Sequence, residues 1–473
     1  MRPPRRHLAE CITFACLAIM CLASCERFGE PTARGTPPNI VLISIDSLRA
    51  DHVGAYGYPK PTSPTIDRLA AEGLVLERAF STTSWTLPAH TALFTGMDDV
   101  THTVTDDGKR LPASVPVLPE ILRDRGYRTL GFFSGPYLDP AFGFARGFDE
   151  YVDCTSYAGL ANGEAPGLDA LHASHRDVTN PILLDRVGAH LAKGLPQPFF
   201  LFLHFWDVHY DYIPPERYWR MFDPDYGGTF SGENFERNRA FKRGMDPADF
   251  QHVLALYDGE IRYTDETIGA LLDELKRREL LENTLVVITA DHGDEFLEHG
   301  RKGHGHTLFD EVTHIPLIAW LPGRIAPGRD PRLASISDIA PTILALAGID
   351  GALQGNGASL LAPPDPARAL LLEVQAPAWG ADLVALRSAK EKVIVNQRAD
   401  RTFVYDLEKD PAEKQPLRVM ADSPAPLLDR QTALQTRLAQ AKARGAELRG
   451  SAPAAVPTID AATEERLRAL GYR

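Results

Sequence analysis

The chain has 473 residues, of which 44% are hydrophobic, 24% charged and 8% aromatic, with a formal net charge of −13. This is ordinary globular composition, long enough for one large α/β domain and a smaller companion. The acidic balance, with no basic run or interleaved aromatic platform in the body of the chain, excludes a nucleic-acid partner.

Arg2, Arg5 and Arg6 form a positive cluster ahead of the apolar stretch Cys11–Ala23. That stretch falls short of the ~20 residues a membrane-spanning helix needs, so it reads as an export signal. It ends Leu22-Ala23-Ser24-Cys25, which resembles the lipobox of bacterial lipoproteins. The resemblance implies lipidation of Cys25, attachment to a membrane through that lipid, and an address in the bacterial envelope or periplasm, on the outer membrane if the cell has two. Of the 5 cysteines only Cys154 lies outside this segment, so the body can form no intrachain disulfide. Cys154 is far from every motif and reads as structural. Residues 1–24 are thus expected to be the signal peptide and 25–37 a tether rich in turn formers.

From residue 38 onward, apolar runs alternate with helical patterns. Asn39–Asp46, Tyr127–Ser134, Phe199–Phe205 and Thr284–Asp291 read as strands buried on both faces. The aromatic run from Phe199 to Trp206 reads as core rather than as a binding stripe. Thr65–Leu74 and Pro247–Leu281 carry helical periodicity, and Ser337–Gly348 reads as a capped helix ended by glycine. Such alternation predicts an α/β sandwich with a mostly parallel sheet, over residues 38–350. Short strand patterns at Ala369–Val374, Leu383–Ser388, Lys392–Asn396 and Arg401–Tyr405 predict a small antiparallel sheet within 351–420, and residues 421–473 a helical tail.

Asp46 and Asp291-His292 stand just past the carboxyl ends of two of the apolar runs, where open α/β sheets form their sites. Two carboxylates and an imidazole suit a divalent ion such as Ca²⁺, Mn²⁺ or Zn²⁺. Thr86 lies in Ser84-Trp85-Thr86-Leu87-Pro88-Ala89-His90, followed by a helical pattern ending Thr95-Gly96. With Pro88 at a first helical position, a helix N-terminus would stand beside Thr86, favouring an anionic centre there. Thr86 acting only as an N-cap is the plain alternative.

The Thr86 segment resembles the nucleophile motif of the sulfatase family, within the alkaline phosphatase superfamily. The similarity extends through Ser44–His52, Thr62–Ala70, His314–Ile318 and Tyr405–Pro411, and involves most of residues 38–420. It implies an alkaline-phosphatase-like α/β/α sandwich, a metal-dependent ester hydrolase, and a metal held by Asp46, Thr86, Asp291 and His292. Sulfatases carry Cys or Ser where Thr86 stands and oxidise it to formylglycine; threonine lacks the primary carbon that maturation requires. They also carry an acid where this chain has Ser47, often Asn at His292, Arg at His90 and Lys at the position of His304. The pattern is similar to the superfamily's phosphonate monoester hydrolases and phosphodiesterases.

These departures give Thr86 a defined task as a nucleophile, since a divalent cation lowers the pKa of a nearby hydroxyl. His90, His209 and His304 either hydrogen-bond the substrate's oxyanion as imidazolium or, with Asp207, hold a second Zn²⁺ or Mn²⁺. His209 and His304 are also placed to protonate a leaving group. In the loop Glu298–His306, Lys302 is expected to steer an anionic substrate and His306 to orient a neighbour, with His299 less defined. The expected function is hydrolysis of phosphate or sulfate esters through a covalent Thr86 intermediate. A sulfatase proper, an envelope phosphotransferase and a non-catalytic anchored binding protein are the alternatives.

Overall fold

The computed structural model describes residues 36–155, 179–376 and 380–449, together with Val456, Ala461 and Glu464. Cys25 and the segment ahead of it lie outside the described residues. Among the described residues, sixteen strands form two larger sheets and a hairpin. The main sheet contains β1 (Asn39–Ile45), β2 (Leu74–Phe80), β3 (Arg128–Phe133), β4 (Glu150–Asp153), β5 (Phe199–Phe205), β6 (Thr284–Ala290), β9 (His314–Ile315), β10 (Leu317–Trp320) and β11 (Gly328–Ser335). β7 (Glu295–Phe296) and β8 (Lys302–Gly303) make the hairpin, and β12 (Leu370–Ala376), β13 (Ala381–Arg387), β14 (Glu391–Asn396), β15 (Arg401–Asp406) and β16 (Leu417–Val419) the second sheet.

Main-sheet order is β11-β2-β10-β6-β1-β5-β3-β4, with β9 beside β2. The run β6-β1-β5-β3-β4 is parallel throughout, and β10 joins antiparallel to both β6 and β2. Every residue of β1, β5 and β6 is buried. Helices cover both faces, so these strands have no wet side and read as unbroken apolar runs. The sheet therefore conforms to the α/β sandwich that the sequence implies. Its register sets Ser44 beside His204 on one side and beside Thr289 on the other, which brings the carboxyl ends of β5, β1 and β6 level.

Among the helices, α1 (Pro64–Glu72), α2 (Thr86–Thr95), α3 (Asn180–Ala192), α4 (Pro247–Arg277), α5 (Ile339–Leu346) and α6 (Ala425–Arg449) are the longer ones. The side chain of Asp246 caps α4 by accepting from Ala248 N. One stripe of α4, including Val253, Tyr257, Ile261, Ile268 and Leu275, is buried against the core. Where sequence alone places a first helical turn at Pro88, the helix starts at Thr86, with Trp85 as N-cap and no side-chain capping bond. All ten residues of α2 are buried. Thr91 and Thr95 return their hydroxyls to the carbonyls of Leu87 and Thr91, so no polar group is stranded there.

The second sheet is antiparallel throughout, in order β12-β13-β14-β15-β16. One face packs with Phe80, Leu308 and Leu333 of the main body. The other packs on Leu434 and Ala441 of α6. A buried ionic cluster joins sheet and body: Lys392, fully buried, pairs with Asp310 (2.6 Å) and Glu413 (2.8 Å), and Arg387 also pairs with Asp310 (2.9 Å).

Candidate active site

Asp46 follows β1 directly, and Asp291 and His292 follow β6, so the level strand ends bring the three side chains together. The Asp291 Oδ1 accepts from the backbone N–H of His292 (2.8 Å) and of Ser47 (3.2 Å). Ser47 takes the left-handed conformation, φ 56°, which is uncommon for a residue with a Cβ and marks a constrained turn. It is held there by Tyr257 of α4, whose hydroxyl donates to the Ser47 carbonyl (2.7 Å). The turn also aims the Ser47 hydroxyl at Asp46 Oδ1 (3.1 Å), so a neutral donor stands where a second acid is usual.

His292 donates Nδ1–H to the carbonyl of Gly293 (3.2 Å), which leaves Nε2 as a lone pair. That nitrogen faces three oxygens: Thr86 Oγ1 at 3.3 Å, Asp291 Oδ2 at 3.4 Å and Asp46 Oδ1 at 3.6 Å. The Thr86 hydroxyl is therefore not spent on capping its own helix. It stands among the acids and the imidazole at the helix N-terminus.

His90, one turn along α2, is fully buried. Its Nδ1–H is donated to the Thr86 carbonyl (2.9 Å), and its Nε2 accepts from the Ser44 hydroxyl (3.0 Å). Burial, reinforced by His204, pushes its pKa down to about 3. It is a neutral ring that braces α2, with both nitrogens engaged.

On the pocket side, the His304 ring centre is 4.2 Å from that of His292 and 5.0 Å from that of His209. His304 Nδ1 bonds Asp294 Oδ1 at 2.6 Å. Asp294 also accepts from the Tyr212 hydroxyl, and burial raises its pKa to about 6. The loop carrying His304 is tied to the Thr86 segment, because Gly305 N donates to the Ser84 carbonyl (2.7 Å) and Ser84 Oγ to the Thr307 carbonyl (2.7 Å). His306 donates Nδ1–H to the His304 carbonyl (2.6 Å) and so holds that loop in shape.

The remaining residues singled out from sequence stand apart from this group. Asp207 accepts from Thr179 N and Oγ1, both at 2.7 Å, and helps to start α3; it does not join His209 and His304 in a donor set. Lys302 gives its ammonium to the carbonyls of Phe235 and Asn238, each at 2.6 Å, over the Phe235 ring. His299 stacks on Phe309, with centroids 3.6 Å apart, beside Glu311. Two residues that motif reading passed over do join the site: Asp294, three positions after Asp291, and His204, the one polar side chain within β5.

The carboxylates fit a divalent cation. Asp46 and Asp291 are 2% and 0% exposed, and among the described residues no lysine or arginine pairs with either. Burial raises both to about 7, and Asp46 adds to the effect on Asp291. Asp291 Oδ2 is buried with no hydrogen-bond partner. Asp46, Asp291 and His292 each bring a donor atom within 4.8 Å of the others. Uncompensated acids with lone pairs converging on one point are what a hard to borderline cation requires.

A family model described as Sulfatase matches residues 38–349. The chain belongs to the sulfatase family. Human arylsulfatase A is 27% identical over 460 residues, covering 80% of this chain and 82% of its own. Choline-sulfatase of Rhizobium meliloti is 25% identical, with 84% of each chain covered. In structure, a phosphonate monoester hydrolase of Agrobacterium radiobacter superposes with a TM-score of 0.67 at 22% identity, over 86% of this chain and 96% of that one. The sulfatase-family protein is therefore an ester hydrolase, and its family generally binds a divalent metal.

Protonation of the two acids sets a pH dependence. Raised from 3.8 to about 7, Asp46 and Asp291 keep protons in the folded, metal-free protein that the unfolded chain loses above about pH 4. Metal-free stability therefore falls as pH rises from about 4 to 7. A cation must displace the same protons, so its affinity rises over that range and levels off above it. Titration calorimetry at pH 6 in buffers of different ionisation enthalpy is expected to show proton release; none at pH 6 would contradict the assignment of these acids.

Proposed function

We propose that this sulfatase-family protein hydrolyses an anionic ester, a phosphate mono- or diester in preference to a sulfate, with Thr86 as nucleophile. What supports the reading is the Thr86 hydroxyl standing 3.3 Å from His292 Nε2, unused by its helix, between two buried acids. Asp46, Asp291 and His292, with Thr86, would hold one divalent cation, Ca²⁺, Mn²⁺ or Zn²⁺. When bound, it supplies Lewis acidity that lowers the pKa of the hydroxyl and offsets negative charge on the reacting ester.

Thr86 Oγ1 attacks phosphorus in line, its bond to phosphorus forms, and the bond from phosphorus to the ester oxygen breaks. The hydroxyl proton leaves to a base on the Thr86 side of phosphorus, and the departing oxygen takes a proton from an imidazole on the opposite side. His304 suits that delivery, because its Nδ1 is bonded to Asp294 and its Nε2 is left to carry a proton once a bound anionic ester offsets the burial of the ring. Water then attacks the phosphorylated threonine from the vacated side and returns a proton to His304, and the threonine oxygen recovers its own from the base on its side. The first turn of α2, whose Thr86 and Leu87 N–H groups have no partner within the helix, favours the anionic centre.

Phosphate is favoured over sulfate by the nucleophile's own chemistry. A formylglycine hydrate expels sulfate by losing its second hydroxyl proton, whereas sulfated threonine has no such exit and must wait for water. The sulfatase relatives keep sulfate esters as the second reading. Parallel turnover of aryl sulfate, phosphate monoester, phosphate diester and phosphonate by metal-loaded protein decides between them. Thr86→Ala is expected to abolish turnover of whichever ester is best while retaining the metal; unchanged turnover in that variant would end the nucleophile assignment.

His304→Gln separates its proton relay from a packing role. The loss should be about 10²–10⁴-fold on alkyl esters, whose leaving oxygen needs a proton, and much smaller on nitrophenyl esters. Equal losses on both would assign His304 to packing or binding instead.

Export and anchoring through Cys25 belong to the same proposal, supported by Arg2, Arg5 and Arg6, the apolar stretch and Leu22-Ala23-Ser24-Cys25. Among the described residues no helix is long and apolar enough to cross a membrane. Metabolic labelling with a fatty-acid analogue should mark the protein and be lost in Cys25→Ser; label retained in that variant would refute the anchor.

A further inference from the structure

His204 occupies the second-last position of β5, level with Ser44 of β1, and is 1% exposed. Its Nδ1 lies 2.8 Å from the carbonyl oxygen of Ser134. A carbonyl can only accept, so Nδ1 carries the proton. The ring is thereby oriented, and a neutral ring has its lone pair on Nε2. That Nε2 is buried with no hydrogen-bond partner, 3.5 Å from Asp46 Oδ2. Asp291 Oδ2, equally without a hydrogen-bond partner, is a near neighbour: His204, His90 and Asp291 each offer a donor atom within 4.8 Å of the others.

Two buried lone-pair atoms, an imidazole nitrogen and a carboxylate oxygen, are left unsatisfied close to each other. In a packed interior that is costly and rare, and it points to a group lying between them. His90 is not that group's ligand, because both of its nitrogens are already engaged by Thr86 and Ser44. An imidazole whose Nδ1–H is fixed by a backbone carbonyl while Nε2 faces carboxylates is the usual arrangement of a metal-binding histidine.

We infer that His204 Nε2 is a ligand of the same divalent cation held by Asp46, Asp291 and His292. It takes up the coordination that is lost because Ser47 stands where a second acid is usual. The inference rests on the metal-site reading above and not on Thr86 being the nucleophile. Two carboxylates and two imidazoles make a softer, less negative donor set than an all-oxygen cage. The site is therefore selective for Zn²⁺ or Mn²⁺ over Ca²⁺, since imidazole suits the former.

The test uses the full chain and measures binding rather than turnover. X-ray absorption on zinc-loaded wild-type protein is expected to count two imidazole nitrogens at the metal. His204→Gln, which keeps the side chain's size and polarity, should weaken Zn²⁺ by more than the roughly 10–100-fold typical of losing an outer partner. It should also shift the visible spectrum of the Co²⁺-loaded protein and alter Ca²⁺ binding far less. One imidazole in the wild-type zinc spectrum overturns the inference even if the variant fails to fold, and so does Zn²⁺ affinity within twofold of wild type in a folded variant. A wild-type protein that binds none of these ions overturns the metal site as a whole.

Discussion

The constraint on which the rest of this site depends is the burial of two carboxylates side by side. Asp46 and Asp291 are delivered by the ends of adjacent parallel strands, and the register of β1 against β6 leaves them no freedom to separate. Without an opposite charge each is driven towards neutrality. Among the described residues neither a lysine nor an arginine supplies that opposite charge. Around the acids it arranges uncharged donors instead: the Ser47 hydroxyl, the Thr86 hydroxyl, backbone N–H groups and the lone pairs of histidines. Every one of these is compatible with a cation, and none replaces it.

The departures from the sulfatase pattern share this electrostatic logic. Where the family carries a fixed cation on the nucleophile's helix, His90 is a buried neutral ring bonded at both nitrogens. His304 is likewise held well below the ordinary histidine range by burial and by its neighbours His292 and His306. The imidazolium role that sequence leaves open for these two positions is disfavoured by their surroundings. The second-metal role with Asp207 loses its carboxylate to Thr179. What these surroundings favour at His90 and His304 is a neutral ring rather than a fixed positive charge.

How much of this could be read from sequence follows from burial. β1, β5 and β6 are buried on both faces, so their apolar runs, and the acids that end two of them, stand out in the one-dimensional pattern. β2 and β11 mix charged and apolar residues, as Leu-Val-Leu-Glu-Arg-Ala-Phe and Gly-Arg-Asp-Pro-Arg-Leu-Ala-Ser, and β10 spans only four; none gives a clean period, and all three pass unread. Lys302 and Asp207 have the right chemistry for an anion or a metal, but the direction of a side chain is a tertiary fact. Lys302 finds two carbonyls and Asp207 finds Thr179 before either reaches the site. His204 is hidden by the opposite effect: a run this aromatic reads as core, and its one polar residue is absorbed into that reading.

The second sheet is more than an appendage to this chemistry. His304 and His306 lie on a loop whose glycines, Gly303 and Gly305, take positive φ values and impose no shape of their own. Shape comes from both ends. At one end Gly305 and Thr307 are tied to Ser84, two residues before Thr86. At the other, Lys392 of β14 binds the Leu308 carbonyl (3.0 Å) and Asp310, and Arg387 of β13 grips the same carboxylate. Lys392 is wholly buried, so losing it would leave Glu413 without a cation and Asp310 with Arg387 alone, a change costing about 3–5 kcal/mol in comparable pairs. The loop that carries His304 is thus held at one end by an ion cluster contributed from the second sheet, which ties that sheet to the candidate site.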